Sequence, residues 1–272
     1  MIELIVVSIP KLQVTQPGER TSPEGKPIRN KLLLSISDAE FRLIRPLLKF
    51  VSLPHHETLH QPHRIVRFAY FPNDGLISLV VEMHDGTSVE AGLLGRDGAS
   101  GISAVLGLHR SPLREIVQIS GEGLMLRISA LREILPSTPE LQMILNRYAA
   151  GLAMQVAQTA ACNRIHKVEQ RLARWLLIAQ DRVESGVVPL THDFLATMLG
   201  TDRPSVTLAA GILQRKEIID YARGSLKILN RKKLESFACE CYNIVAQYNV
   251  APTITPTILP IDRPRLQRKI HS

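Results

Sequence analysis

The hydrophobic positions of this chain change period along its length. From about Val51 to Ile128 they fall in short β-rich runs: Phe68–Phe71, Leu76–Val81, Val89–Leu94, Ile116–Ile119 and Leu124–Ile128. Turn residues separate the runs, among them Asn73-Asp74-Gly75, Asp85-Gly86 and Asp97-Gly98. Strands at this spacing, several ending in Asp-Gly, predict an antiparallel barrel or jelly roll. A short helix comes first: Ser37-Asp38-Ala39-Glu40 offers a cap ahead of Phe41, Ile44, Leu47 and Leu48, and Pro46 kinks or ends it.

After Pro139 the period becomes helical. Glu140–His166 carries a stripe of Leu141, Leu145, Tyr148, Leu152, Gln155, Thr159, Cys162 and His166, apolar early and polar late. Packing on the barrel accounts for the first half. The alanines around the second half (Ala149, Ala150, Ala153, Ala157, Ala160, Ala161) suit close helix–helix approach, so we expect a homodimer seam through Leu141, Leu145, Tyr148, Leu152 and Gln155. Lys167–Val183 is a further helix that buries Val168, Leu172, Trp175, Leu176 and Ala179. Ser185-Gly186 ends it, Val187–Leu190 reads as a short strand, and Arg231–Tyr248 reads as a last helix.

Between these lies the most informative stretch, Thr191–Asn230. An apolar stripe (Phe194, Leu195, Met198, Leu199) runs into Gly200-Thr201-Asp202, a turn able to end one helix and cap the next. Pro204 suits the first turn of that second helix. Val206, Ala210 and Leu213 should point inward, leaving Arg203, Thr207, Gly211 and Arg215 outside as a slim basic face. Such a face fits a major groove about 12 Å wide. Two β-rich runs follow, Ile218–Tyr221 and Leu226–Leu229, joined by Ala222-Arg223-Gly224-Ser225. With Arg223 at the tip and Lys227 nearby, the hairpin reads as the wing of a winged helix. Two amphipathic helices around a Gly turn also occur in many all-helical proteins; the wing and the charge distribution favour DNA.

That charge is uneven. Of the net +8, residues 1–139 hold 15 basic and 14 acidic groups, and residues 140–272 hold 18 and 11. The excess lies with the helix-turn-helix, as expected of a phosphate-backbone binder. Three cysteines, Cys162, Cys239 and Cys241, make no disulfide framework and fit a reducing compartment. Cys239-Glu240-Cys241 is tighter than a zinc knuckle, and on a helix its sulfurs would diverge, so no metal is expected there. His55, His56, His60 and His63 cluster beside Glu57 but are interrupted by Pro54 and Pro62; they read as solvated loop histidines. The competing function is a cupin-like barrel that binds a ligand or metal without recognising an operator. No Gly-x-Ser-x-Gly elbow, His-Glu-x-x-His helix or P-loop supports an enzyme. No apolar run approaches the roughly 20 residues that span a bilayer, and Met1–Ile9 lacks a basic region and cleavage site. Cytoplasm is the expected location, with no membrane partner.

A β-barrel, a long helix and a winged helix, in that order, resemble the Crp/Fnr superfamily of bacterial transcription regulators. The specific pieces are Tyr70-Phe71-Pro72-Asn73-Asp74-Gly75, Gln170-Arg171-Leu172-Ala173-Arg174-Trp175-Leu176-Leu177, and Thr191 through Leu229. The sequence is most similar to the branch with Arg203-Pro204-Ser205-Val206-Thr207 in the recognition helix and Cys239-Glu240-Cys241-Tyr242 in the last helix. The resemblance implies an α+β fold: an antiparallel β-roll or jelly-roll barrel, a long dimerisation helix and a C-terminal winged helix-turn-helix. The expected divisions are a disordered extension over 1–29, a cyclic-nucleotide-binding-like sensor domain over 30–138, a dimerisation helix over 139–166, a DNA-binding domain over 167–249 and a disordered basic tail over 250–272. Expected partners are double-stranded DNA, a second copy, RNA polymerase and a small-molecule effector.

What the resemblance implies for single residues is partly undercut by the sequence. Arg203 matches the family's first recognition arginine and is assigned to guanine O6 and N7, with Thr207 at a thymine methyl or base edge. Ser205, Thr191 and Thr201 are assigned as phosphate donors, joined by the wing residues Arg223 and Lys227. Pro204 and Leu208 stand where cyclic-AMP-responsive members carry Glu and a second Arg, so the operator differs. The implied effector pocket comprises Gly101, Arg110, Ser111 and Thr159. There Ile102 replaces the ribose-binding Glu, at a cost on the order of 1.5–3 kcal/mol, which disfavours cyclic AMP. The superfamily's iron–sulfur sensors use N-terminal cysteines; none precedes Cys162, so no such cluster is expected.

Overall fold

Asp-Gly turns and alternating strands build the N-terminal half as expected. A computed structural model describes residues 19–183, 187–222 and 224–248. Two short helices, α1 (Lys31–Leu34) and α2 (Asp38–Ile44), lead into β1 (Lys49–Leu53), β2 (Thr58–His60), β3 (Phe68–Pro72), β4 (Leu76–Glu82) and β5 (Ser88–Leu94). After α3 (Ile102–Val105) come β6 (Leu113–Ile119), β7 (Gly121–Arg127) and α4 (Ile128–Ile134). These strands form two antiparallel sheets, ordered β1-β7-β3 and β2-β6-β4-β5. Leu53, Ile77, Leu79, Leu94 and Val117 of the two sheets form one buried cluster, while Phe71, Leu124 and Leu126 pack in a second cluster with the flanking helices.

Residues 19–29, expected to be disordered, pack on the roll. Arg20 is buried, donates to the carbonyls of Leu33 and Ile36 at 2.7 and 2.8 Å, and pairs with Asp38 at 2.7 Å. Asn73 in the β3–β4 turn accepts from the amides of Arg29 and Asn30. The charged composition of residues 19–29 suggested solvent; their polar groups instead find specific partners on the roll. The expected disorder of residues 1–18 and 250–272 lies outside the described residues.

The long helix α5 (Pro139–Ile165) follows, then α6 (Val168–Val183). The expected dimer seam is used within the chain. Leu141, Leu145 and Tyr148 join the roll's core, Leu152 packs against it, and the Gln155 amide donates to the Leu93 carbonyl at 3.1 Å. What α5 leaves open is the opposite face: Ala150, Ala153, Met154, Ala157, Ala160 and Ala161 are exposed. The heptad stripe alone could not distinguish the two sides.

Beyond it, β8 (Val187–Pro189), α7 (His192–Leu199), α8 (Arg203–Arg215), β9 (Ile219–Ala222) and β10 (Ser225–Ile228) form a helix pair with a three-stranded wing ordered β8-β10-β9. The expected last helix is two: α9 (Arg231–Phe237) and α10 (Cys241–Tyr248), separated at Ala238–Glu240. Trp175, Leu176, Leu195, Val206, Leu213 and Leu226 share one core here.

Candidate nucleic-acid interface

Local capping sets the helix pair. The Thr191 hydroxyl accepts from the Phe194 amide at 3.1 Å and starts α7. Gly200, at φ 56°, ends it in the left-handed region that favours glycine. Asp202 then accepts from the Ser205 amide at 2.7 Å and starts α8. A Cβ on Gly200 would lie 2.9 Å from Val89 Cγ2, because the β4–β5 hairpin packs against this turn.

On α8, Val206, Ala209, Ala210 and Leu213 are buried, whereas Arg203, Thr207, Leu208 and Arg215 are exposed. The Arg203 guanidinium stands 64% exposed and pairs with Asp193 of α7 at 3.2 Å. The Thr207 hydroxyl lies 3.0 Å from Nδ1 of His192, whose ring stacks on Tyr221 of the wing at 4.4 Å. Burial, with the Arg203 charge beside it, holds the His192 imidazole below its ordinary range. Asp193, His192 and Tyr221 therefore brace the exposed face of α8, contacts that helical periodicity could not reveal.

The other expected DNA contacts divide. Lys227 is exposed on β10, directly opposite Asp220 in the ladder. Ser205 spends its hydroxyl on Asp202 at 3.1 Å. Thr201 lines the cleft between the turn and the β4–β5 hairpin. Arg223 lies outside the described residues.

The four expected effector-pocket residues each have their own neighbours. Gly101 (φ 76°) sits against the Phe68 carbonyl and His60. Arg110 is exposed on a shallow concavity with His63, Arg64 and Arg67. Ser111 is buried and accepts from the Leu113 amide at 3.1 Å. Thr159 faces α6, where Arg174 donates to it at 3.3 Å. Where the roll meets α5 and α6, Tyr148, Gln155 and Arg182 line a cavity of about 10 Å³, about the size of one water.

The histidine group also departs from expectation. His55, His56 and His63 are exposed, but His60 on β2 is buried opposite Glu115 of β6. Burial pushes the His60 imidazole down to about 4 and the Glu115 carboxyl up to about 7. The cysteines contradict the expectation more sharply. Cys162, His166, Cys239 and Cys241 place one donor atom each within 4.8 Å of one another, a set able to hold a metal. Cys239 lies in the α9–α10 break and Cys241 begins α10, so the two do not share a helix and their sulfurs converge.

The roll is coupled to the helix pair through Glu90. Its carboxylate accepts from Ser78 Oγ at 2.6 Å and from Trp175 Nε1 at 2.7 Å, while Ser78 touches Met198 of α7. Burial pushes Glu90 up to about 7, against those hydrogen bonds and the nearby Arg174 and Arg182 charges.

A β-roll, a long helix and a winged helix pair in this order define a class, that of the Crp/Fnr fold. The chain carries a Crp-like helix-turn-helix domain: residues 170–237 match that family model. Solved structures share the fold across nearly their full length. FixK2 from Bradyrhizobium japonicum is 16% identical with a TM-score of 0.58, covering 71% of this chain and 98% of that one. CLP from Xanthomonas campestris, described as a c-di-GMP responsive global regulator, is 13% identical with a TM-score of 0.60, covering 71% and 99%. A CRP-family transcriptional regulator from Thermus thermophilus is 21% identical with a TM-score of 0.58, covering 69% and 96%. No curated protein matches the sequence. Among the described residues, no helix is long and apolar enough to cross a membrane.

Proposed function

We propose that the protein is a transcription regulator of Crp/Fnr type that binds a two-fold-symmetric operator as a homodimer, one α8 per half-site. The observation that carries this reading is the exposed face of α8, with Arg203, Thr207 and Arg215 standing clear of a packed scaffold whose inner positions are all apolar. Arg203 reads guanine, Thr207 touches a base edge, and Thr191 and Lys227 meet phosphates. Pairing uses the exposed alanine face of α5, because the opposite seam is filled by the roll. Half-sites then lie about one helical turn apart. The roll acts as an effector domain for something other than cyclic AMP, because it has no acidic ribose partner after Gly101.

The test is selection of bound duplexes from a random library, with wild type and Arg203→Ala in parallel. Wild type should enrich a palindrome and lose affinity steeply with salt. Enrichment of the same palindrome by the variant would refute the assigned reading face.

A further inference from the structure

The end of α5 and the break between α9 and α10 bring together four donors that the DNA-binding reading does not use. Cys162 and His166 lie one turn apart on or just after α5; Cys239 and Cys241 flank Glu240 at the break. The three thiols are all buried, and the His166 side chain is 14% exposed. The Cys162 and Cys239 sulfurs are 3.5 Å apart, and Cys241 Sγ is 3.5 Å from His166 Nδ1. A tetrahedral zinc with Zn–S of about 2.3 Å and Zn–N of about 2.0–2.1 Å has S–S edges near ~3.8 Å and S–N edges near ~3.5 Å. Those two pairs stand within a few tenths of an ångström of these figures, and all four donor atoms lie within 4.8 Å of one another.

Two further features point the same way. His166 Nε2 lies 3.3 Å from the Glu240 carboxylate. A proton held there leaves the Nδ1 lone pair facing the sulfurs, the carboxylate–histidine arrangement of a metal ligand. Gln158 Nε2 contacts Cys241 Sγ at 3.0 Å, a donor suited to a thiolate. Close by, Arg171 is 6% exposed, with Nε and Nη2 lacking hydrogen-bond partners, and Arg174 is 4% exposed. Three neutral thiols leave these buried cations facing no anion in the cluster. Zinc with three thiolates and a neutral imidazole carries one net negative charge and offsets them.

We propose that Cys162, His166, Cys239 and Cys241 form a structural Zn²⁺ site that clamps the α9–α10 break onto the end of the long helix. Four protein ligands complete the tetrahedron, so the site is closed to substrate. Binding forms three Zn–S bonds and one Zn–N bond and releases the three thiol protons to solvent. Because the clamp sits where α5 hands over to α6, it holds the DNA-binding half in register with the roll.

The experiment uses the full chain, reduced, with metal content measured as purified and again after chelation and Co²⁺ titration. Wild type should carry one zinc per chain. Stripped and titrated, it should bind one Co²⁺ with the strong visible bands of tetrahedral cobalt and thiolate-to-cobalt charge transfer, and one Zn²⁺ should displace it. Cys239→Ser should abolish that spectrum. Glu240→Gln changes an exposed residue and leaves all four ligands in place; it should weaken binding roughly 10- to 100-fold. A folded wild-type chain, checked by circular dichroism, that binds no cobalt or only a weak octahedral species would overturn the proposal. So would iron with inorganic sulfide, or a Cys162–Cys239 disulfide with no metal. The readout is the metal itself, so failure here leaves the operator-binding reading intact.

Discussion

Glu90→Gln separates one buried charge from the rest of the fold. Glu90 ties β5 to Trp175 of α6 and, through Ser78, to Met198 of α7. Its carboxyl is raised from 4.5 to about 7 by burial. Between those values the unfolded chain has lost its proton while the native chain keeps it. The native state therefore binds more protons, and its stability falls as pH rises. The contribution is fully present below about 4.5 and is lost as pH climbs through 7. At about 1.4 kcal/mol per pH unit, this amounts to on the order of 3 kcal/mol as an upper bound. Gln keeps the shape, an oxygen to accept from Trp175 and an amide to donate to Ser78, but does not ionise. Urea denaturation of both proteins from pH 4.5 to 8 should give near-equal stabilities at the acid end. At pH 8 the variant should be the more stable. Glu115, also raised to about 7, adds a slope of the same sign. His60, lowered to about 4, adds the opposite one, stabilising above 6.5 and lost as pH falls. Both cancel in the difference between the two proteins. Parallel pH profiles for wild type and variant would refute the assignment.

Other outcomes follow from the interface. Arg203→Ala should cost about 1–3 kcal/mol of discrimination, roughly 5- to 150-fold, while sparing weak non-specific binding; competition shifts with matched and mismatched duplexes measure it. Ala157→Glu places a charge on the exposed face of α5 and should shift the protein to monomer by light scattering. An unchanged dimer would place the pairing surface elsewhere. Asp202→Ala removes the α8 cap and should lower the melting temperature, with DNA affinity falling in step.

Much of the fold was legible because it is written in local periods. Strand runs closed by Asp-Gly, the α6 stripe and the Thr191–Asn230 helix pair with its wing each depend on residues a few positions apart. The caps Ser37, Thr191 and Asp202 and the left-handed Gly200 are equally local. The inner and outer faces of α8 followed from helical spacing alone. These features, with the basic excess of the second half, are what the amino-acid order determined by itself.

Tertiary structure decided whatever required a choice between surfaces or a meeting of distant residues. The α5 stripe is equally compatible with a partner helix or the roll; only packing assigns Leu141, Leu145 and Tyr148 to the roll and exposes the alanines. His60 looked like its solvated neighbours until its strand paired with β6. The Cys162–Cys239 contact joins residues 77 positions apart, and it depends on a helix break that apolar spacing over Arg231–Tyr248 gave no reason to expect. Periodicity records which face of an element is apolar. Which neighbour covers that face, and which donors meet behind it, are set by the packing of the whole chain.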